Sequence, residues 1–433
     1  MEKMKRRDFI KLTAGTVGGI FLAGYEISLG AAKSYILIPM DDSQTNHLKA
    51  YGLVYWLLAL DRGYRAEWLL NFRDGAFLTD DHQAIRNKAN EMGVYFEVIS
   101  PGEAGNIHVQ IQDNNMESVL LEKAPRMAVY VPPTNQPWDD AVTLALNYAE
   151  IPFDKLWDKE VLDGSLKNYD WLHLHHEDFT GQYGKFYGSY RFASWYQNQV
   201  AVFEQAARES GHPTVPEHKR AVSKEIKSYA MRGGFLFAMC AATDTLDIAL
   251  ATDGTDIVAS EIDSTPIDPG YPKKVDYSKT LAFSDFSIIT DPFVYEYSDI
   301  DASDYTHSFE SGLEDFTLFE FSAKEDPLPT MLTQCHRATI KGFFGQTTAF
   351  YKRTIKDNVI IMGEMTDGER AKYIHGSVGK GVFSFYGGHD PEDFQHLVGD
   401  PPTNLALHRD SAGYRLILNN VLFPAARKKE RKT

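Results

Sequence analysis

The stretch GGFLFAMCAATDTLDIAL, residues 233–250, decides the fold because an apolar strand runs directly into a helix at Cys240. Residues 235–239 are apolar without interruption, which is typical of a strand that is buried on both faces of a sheet. A helical pattern starts again at residues 243–250. We therefore place this segment at the centre of an α/β fold, with Cys240 at the point where the strand ends.

Strand and helix patterns also alternate near the start of the chain. Residues 34–40 predict a buried strand, residues 45–60 a helix and residues 66–70 a second strand. Residues 80–92 and 94–99 repeat the helix and the strand. This order is typical of a parallel sheet with helices on both faces. We therefore predict an α/β protein with a mostly parallel, doubly wound, flavodoxin-like sheet, an N-terminal α/β half and an acidic, β-rich insertion.

Composition divides the chain into several parts. Residues 263–339 are rich in aromatic and acidic residues, and they hold too many Phe, Tyr and Ile residues for a disordered linker. We interpret them as an inserted β-rich or irregular lobe. The predicted parts are a leader at 1–32, an N-terminal α/β region at 33–122, a larger domain at 123–262 and 340–424, the insertion at 263–339 and a basic tail at 425–433.

The first 32 residues predict export. The basic motif KRRDFIK at residues 5–11 precedes an apolar, Gly- and Ala-rich run at residues 12–32, and together they resemble a twin-arginine leader. We expect a periplasmic or otherwise exported protein that meets the membrane only through its leader, before cleavage. Beyond the leader, no apolar run reaches the roughly 18 residues that would predict a membrane span.

Charge and cysteine content exclude several kinds of partner and scaffold. The 433 residues have a formal net charge of −16, and residues 1–32 hold five basic and three acidic side chains, so removing their charge of +2 leaves −18. Nucleic acids and anionic membranes are bound through clusters of Lys and Arg, so neither is an expected partner. Two cysteines, Cys240 and Cys335, are too few for a disulfide framework.

The larger domain carries a series of segments in a characteristic order. After an opening strand at residues 126–131 come LKNYD at residues 166–170, which leads into a predicted strand, then the strand that runs into Cys240, and finally GKGVFSFYGGHD at residues 379–390. Their order resembles the class I glutamine amidotransferase-like superfamily and its ThuA-like relatives. The chain also resembles exported bacterial proteins labelled asparagine synthetase B, but it has Glu2 where that label implies an N-terminal cysteine nucleophile.

The amidotransferase resemblance implies a cysteine mechanism. In active members a cysteine on a sharp strand-to-helix turn attacks a carboxamide, and backbone N–H groups at the turn hold the oxyanion. The matching residues are Cys240 as nucleophile, His389 as base, and Glu392 or Asp390 as the orienting acid. The implied function is hydrolysis of an amide or related carbonyl. The alternative is a buried, inert Cys240 in a non-catalytic periplasmic ligand-binding or assembly module.

A dense polar run, HLHHED at residues 173–178, lies at the end of a predicted strand. Because ligands bind at the carboxyl ends of parallel strands, these side chains should share an edge with Cys240. Imidazoles and a carboxylate suit zinc or another divalent metal. This pattern predicts a metal-dependent hydrolase, unless the histidines only bond to buried polar groups. The candidate ligands are His175, His176, Glu177 and His389.

Two further segments predict ligand contacts. Asp41 and Asp42 end the first predicted strand, where they bind a substrate or cation; alternatively, Asp42, Ser43 or Thr45 caps the next helix. Tyr183 lies in a loop of glycines and tyrosines at residues 181–191, which presents aromatic faces to a small-molecule, glycan or peptide ligand or simply packs on the protein. The glycine-rich residues 376–381 lack the spacing of a phosphate loop and predict a turn.

One spatial expectation connects all of these candidates. The predicted strands that end at Leu174, Met239 and Tyr386 should be neighbours, so that the segments that follow them meet at one edge of the sheet. The cysteine hydrolase, the metal-dependent hydrolase and the binding module all depend on this meeting point.

Overall fold

Two sheets organise the described part of the chain. The computed structural model describes residues 33–59, 62–134, 136–301, 315–395 and 397–426. The predicted twin-arginine leader and the basic tail beyond residue 426 lie outside the described residues. Among the helices that are described, none is long and apolar enough to cross a bilayer.

The smaller sheet is built from residues 33–122, and all its described strand pairs are antiparallel. Its strands are β1 (Tyr35–Ile38), β2 (Ala66–Leu70), β3 (Ala76–Asp80), β4 (Glu97–Ile99) and β5 (Glu117–Leu121), in the order β4-β1-β3-β2-β5. Its helices are α1 (His47–Leu58), α2 (Gln83–Met92) and α3 (Pro101–Asp113). The elements up to β4 follow the β-α-β-β-α-β order of a ferredoxin-like unit, which α3 and β5 extend.

The prediction of a mostly parallel, doubly wound, flavodoxin-like sheet is wrong. Residues 71–75 reverse the chain after β2, and Asn71, Arg73, Asp74 and Gly75 all have positive φ angles there. The strand that follows, β3, was not predicted, and it pairs with both β1 and β2 in antiparallel orientation. Because β3 lies between β1 and β2, these two strands cannot be the parallel neighbours that a doubly wound sheet requires.

The larger sheet is mixed, which is the second departure from the prediction. Among the described residues it contains β6 (Met127–Tyr130), β7 (Asp154–Leu156), β8 (Trp171–Leu174), β9 (Phe235–Met239), β10 (Phe316–Leu318), β11 (Thr339–Ile340), β12 (Phe350–Tyr351), β13 (Ile360–Met365), β14 (Arg370–Val378) and β15 (Gly381–Tyr386). The order is β11-β10-β13-β14-β15-β9-β8-β6-β7, with β12 paired to β14.

In the described part of the larger sheet, the five neighbouring strands β15, β9, β8, β6 and β7 are parallel to one another. The other described strand pairs of this sheet are antiparallel. The predicted turn at residues 376–381 is confirmed, because it connects β14 to β15 as a hairpin in which Val378 pairs with Gly381. The parallel half therefore holds the strand ends that were expected to carry the site.

Helices cover both faces of the parallel half. The further helices of the described chain are α4 (Ala141–Tyr148), α5 (Asp158–Leu162), α6 (Tyr187–Tyr190), α7 (Ser194–Glu209), α8 (Val215–Met231), α9 (Ala242–Ala251), α10 (Ser260–Asp263), α11 (Pro327–Leu332) and α12 (Ala412–Leu422). In β9, Phe235, Phe237 and Met239 pack into one apolar cluster with α1, α4 and α12. Leu236 and Ala238 pack into a second cluster with α8 and α9. This two-sided burial explains the uninterrupted apolar run of β9.

Much of the predicted insertion packs against the second cluster. Its described part begins with short 3-10 turns at Tyr271–Lys273 and Tyr277–Lys279. The backbone N–H groups of Leu281, Ala282 and Phe283 then donate to the carboxylate of Asp247 on α9, at 2.6–3.0 Å. Residues 302–314 of the insertion lie outside the described residues. The remaining part supplies β10, α11 and β11.

Candidate metal centre

The carboxyl ends of β8, β9 and β15 lie side by side. In the parallel ladder Leu174 pairs with Ala238, and Met239 pairs with Tyr386. The expectation that the segments after these three strands meet at one edge is therefore confirmed. This edge is where ligands bind in parallel α/β sheets.

Cys240 forms a sharp turn between β9 and α9. Its φ of +53° lies in the left-handed region that residues other than glycine seldom adopt. This is the kind of turn that the resemblance implied for a nucleophile. The side chain, however, is only 2% exposed, and the Gln346 N–H donates to its Sγ at 3.2 Å. Burial raises the pKa of the Cys240 thiol to about 11, so the thiol is protonated and weakly nucleophilic near neutral pH.

The predicted partners of Cys240 bond to other groups. His389 Nδ1 lies 3.1 Å from His175 Nε2, and His389 Nε2 lies 3.0 Å from a backbone carbonyl in the loop before α4. Glu392 Oε2 lies 2.9 Å from His408 Nδ1. These contacts connect His389 to the histidines after β8, and they hold Glu392 against His408 instead.

Three histidines from two strand ends face one another. His175 and His176 follow β8, His389 follows β15, and one nitrogen from each ring lies within 4.8 Å of the others. His175 and His389 are buried, whereas His176 is partly exposed. Two ligands of a tetrahedral zinc ion, each about 2.0–2.1 Å from the metal, lie about 3.3 Å apart. The 3.1 Å between His175 Nε2 and His389 Nδ1 fits this spacing closely.

Glu177, the fourth predicted ligand, is not part of this group of nitrogens. The charges that act on it most strongly are those of Lys219, Asp158 and Asp178. Its backbone carbonyl accepts a hydrogen bond from the Thr245 hydroxyl at 2.9 Å. Burial raises the pKa of Glu177 to about 8, so this carboxyl group is mostly protonated near neutral pH.

A carboxylate that the sequence analysis missed lies directly behind the histidines. Asp140 is the N-cap of α4, and its Oδ1 accepts the backbone N–H groups of Val142 and Thr143 at 2.8 and 3.0 Å. The same oxygen lies 3.3 Å from His175 Nδ1 and 3.6 Å from His173 Nε2. Asp140 thus connects a helix terminus to the back of the histidine group.

The rest of the loop after β6 also faces the histidines. His176 Nε2 lies 2.7 Å from Gln136 Oε1. Burial, together with the charge of Asp390, raises the pKa of Asp139 to about 6. The sequence carried a signal for this loop, because β6 is a further parallel strand and the pair Asp139-Asp140 follows it before the next helix.

The predicted ligand residues Asp41 and Asp42 form ion pairs instead of joining the histidines. Asp41 Oδ2 lies 2.6 Å from Arg73 Nε, and Asp42 Oδ1 lies 2.8 Å from Arg337 Nη1. Burial opposes ionisation of Asp41, but hydrogen bonds from Arg73 and Ser43 outweigh it and lower the pKa of Asp41 to about 2. The N-cap of α1 is Asn46, so the alternative that Asp42, Ser43 or Thr45 caps this helix is wrong.

Tyr183, the predicted aromatic ligand contact, is packed inward. Its side chain is buried, and its ring centroid lies 6.1 Å from that of Tyr196 and 6.1 Å from that of Phe203. Both partners belong to α7. In the described structure the ring therefore contributes to a small aromatic core beside the sheet.

Comparison with known proteins leaves the family open. No family model and no curated protein matches the chain. Among solved structures, the cytoplasmic protein STM3548 from Salmonella typhimurium is 8% identical with a TM-score of 0.33, covering 70% of this chain and 100% of its own. The cytoplasmic protein STM1381 from Salmonella typhimurium LT2 is 10% identical with a TM-score of 0.34, covering 70% and 99%.

A third solved structure, the GH42 β-galactosidase Gan42B, is 9% identical with a TM-score of 0.28, and the match covers 63% of this chain and 28% of that one. All three scores are too low to carry an argument about fold or function. The amidotransferase-like resemblance therefore stays a prediction.

Proposed function

We propose that this protein is a metal-dependent hydrolase whose metal ligands are His175, His176 and His389. The observation that carries the proposal is the 3.1 Å separation of His175 Nε2 and His389 Nδ1, which come from two different strand ends. Together with His176, they offer three ring nitrogens within 4.8 Å of one another. Three neutral imidazoles are a ligand set for zinc or a similar divalent ion that leaves a position for water or substrate.

The charges around the histidines favour a cation at this place. Burial and, after it, the charges of Asp390 and Asp140 raise the pKa of Asp139, so three carboxyl groups lie near one another here. Bringing carboxylates together away from water is costly unless a cation or hydrogen-bond donors compensate them. A divalent ion would supply that compensation and the Lewis acidity that makes water nucleophilic near neutral pH.

The side chains have separate roles in this proposal. His175 and His389 are buried and would hold the ion, and the partly exposed His176 would be the ligand on the side open to substrate. The backbone carbonyl of Asp139 lies 3.0 Å from His389 Nε2, and the raised pKa of its carboxyl group, about 6, would suit a general base for the attacking water. Cys240 has no role in the chemistry, because its thiol is buried and protonated.

Metal content tests the ligand set. Full-length protein purified without chelators, or reloaded with zinc after dialysis against a chelator, should hold close to one equivalent by mass spectrometry. The variants His175→Gln and His389→Gln should lose that equivalent. The control His108→Gln should keep it, since His108 pairs with Glu67 on the smaller sheet. Wild-type protein that binds zinc, cobalt, nickel and manganese no better than His389→Gln would contradict the proposal.

Hydrolysis tests the function itself. The zinc-loaded protein should cleave p-nitrophenyl acetate or p-nitrophenyl phosphate faster than free zinc does, a chelator should abolish the activity, and added zinc should restore it. A loaded protein that cleaves neither compound above the free-metal rate would reduce the proposal to metal binding alone.

We also propose that the protein acts outside the cytoplasm. The KRRDFIK motif and the apolar run behind it support this location, and a leader of this type is an address that a receptor reads. Replacing Arg6 and Arg7 by lysine should keep the protein in the cytoplasmic fraction. Unchanged recovery from the periplasmic fraction would contradict a twin-arginine route.

A further inference from the structure

We infer that Asp140 is a positioning residue of the proposed metal centre. Its carboxylate fixes the ring of His175 so that the Nε2 atom of His175 faces His389. This inference rests on the proposed metal ligands, and it adds a residue that no sequence pattern had assigned.

Asp140 is held rigidly by the start of α4. Its Oδ1 accepts the N–H groups of Val142 and Thr143 at 2.8 and 3.0 Å, as the side chain of an N-cap residue does. Its side chain is only 12% exposed. Backbone amides and burial thus set the position of this carboxylate independently of the histidines.

The carboxylate touches the two rings that line β8 and its end. His175 Nδ1 lies 3.3 Å from Oδ1, on the far side of the ring from the nitrogen that faces His389. His173 Nε2 lies 3.6 Å from the same oxygen, and His173 Nδ1 lies 3.2 Å from the carbonyl of Phe237. The ring of His173 also packs against those of Trp171 and Phe237, with centroids 5.7 and 5.5 Å away, so its position beside Asp140 is fixed by packing.

This arrangement determines which nitrogen of His175 binds a metal. A carboxylate beside Nδ1 keeps the proton on that nitrogen, and the lone pair of Nε2 is then directed at His389. Carboxylate partners of this kind orient metal-binding histidines in proteins, and losing one typically weakens metal binding by about 10–100-fold. His176 has a different partner, because its Nε2 lies 2.7 Å from Gln136 Oε1.

The chemistry of helix capping allows the two roles of Asp140 to be separated. Asparagine and serine cap helices about as well as aspartate, but neither has a negative charge. Asp140→Asn and Asp140→Ser therefore keep acceptors for the Val142 and Thr143 N–H groups and remove the carboxylate from the histidines. Asp140→Ala removes both, and it serves as the control for the loss of the cap.

The experiment measures zinc and cobalt binding by the full-length wild type and these variants. Asp140→Asn should bind zinc about 10–100-fold more weakly than wild type. Its cobalt complex should have a changed visible spectrum, and the metal-free variant should keep the melting temperature of the wild type. Asp140→Ser should give the same pattern, so the test survives if one variant folds poorly. Asp140→Ala should lower the melting temperature as well.

Two other results would overturn the inference, and they can be told apart. Equal zinc affinity and an unchanged cobalt spectrum in Asp140→Asn or Asp140→Ser would refute the positioning role while the metal centre stands. No zinc or cobalt binding by the wild type would refute the proposed function, and the role of Asp140 with it.

Discussion

The buried ion pair between Lys219 and Asp158 offers a sharp test of how the parallel half is stabilised. Lys219 Nζ donates to Tyr130 Oη at 2.9 Å and to both Asp158 oxygens at 3.0 Å. Both charged side chains are 1% exposed, and the ammonium group lies 4.4 Å from the centroid of the Phe203 ring. The pair joins α8 to α5 and, through Tyr130, to the end of β6.

We expect Lys219→Met to lower the free energy of unfolding by about 3–5 kcal/mol, because removing one partner leaves a buried carboxylate without its cation. The three lost hydrogen bonds, at about 1.5–3 kcal/mol each when a charged group takes part, give a gross loss of the same order or larger. Methionine keeps the apolar length of lysine, so little of the change comes from a cavity.

Urea unfolding followed by circular dichroism measures this loss as a shift of the midpoint at constant slope. The double variant Lys219→Met, Asp158→Asn removes the uncompensated charge, and we expect it to recover more than about 1 kcal/mol. A loss below about 1 kcal/mol in Lys219→Met, or no recovery in the double variant, would refute the reasoning. Either result would mean that the carboxylate is satisfied by other groups.

Three further predictions follow from the pKa shifts. The variant Cys240→Ser should keep the metal content and the hydrolytic activity of the wild type. Because burial raises the pKa of the Cys240 thiol to about 11, iodoacetamide should alkylate it far more slowly in the native protein than in protein unfolded in urea. Rapid alkylation of the native protein would contradict this. Burial lowers the pKa of Lys372 to about 7 against the usual 10.5, so between these pH values the unfolded chain binds more protons than the folded one, and the stability of the wild type should rise with pH. The urea midpoint of Lys372→Met should not show this rise. If the midpoints of wild type and variant change with pH in the same way, the shifted pKa of Lys372 is refuted. The pKa of Asp41 is lowered to about 2 from 3.8, so its contribution to the free energy of unfolding is present above pH 4 and is lost as the pH falls to 2. The difference in stability between the wild type and Asp41→Asn should therefore shrink to zero over that range. A constant difference would disprove the ion pair with Arg73.

The parallel core is the part of the fold that the sequence predicts correctly. The apolar run of β9 and the pattern of α9 gave the correct strand, turn and helix, because burial on both faces leaves a distinct signature. The smaller sheet was misjudged because the turn at residues 71–75 was overlooked. Its Arg73-Asp74-Gly75 sequence between apolar runs is a hairpin signal that should have placed β3.

Two other elements carried local signals that were not used. The start of α3 is a capping box, in which Ser100 accepts from the Glu103 N–H and the Glu103 side chain accepts from the Ser100 N–H. β14 pairs with three strands, β12, β13 and β15, and its length of nine residues was not recognised from its mixed polarity. Polar residues such as Lys372 and His375 are buried there by tertiary packing, which a pattern of hydrophobicity does not record.

The histidines of the candidate site were predictable because parallel strand ends meet at one edge. His175, His176 and His389 were all named on that ground, and the structure brings their nitrogens together. Glu177 was assigned to the same group because it adjoins them in sequence, but its charged neighbours are Lys219 and Asp158. Asp140 follows β6, a further parallel strand of the same sheet, so the strand-end argument also points to its loop, but only packing shows that its carboxylate reaches His175.

X-ray absorption spectroscopy of the zinc-loaded, full-length protein tests the central claim most directly. The account predicts a first shell of nitrogen or oxygen atoms at about 2.0–2.1 Å with multiple scattering from three imidazole rings. Scattering from sulfur at about 2.3 Å would place the ion at a cysteine, and a shell without imidazole signals would place it elsewhere on the surface. Either result would contradict a metal centre built from the ends of β8 and β15.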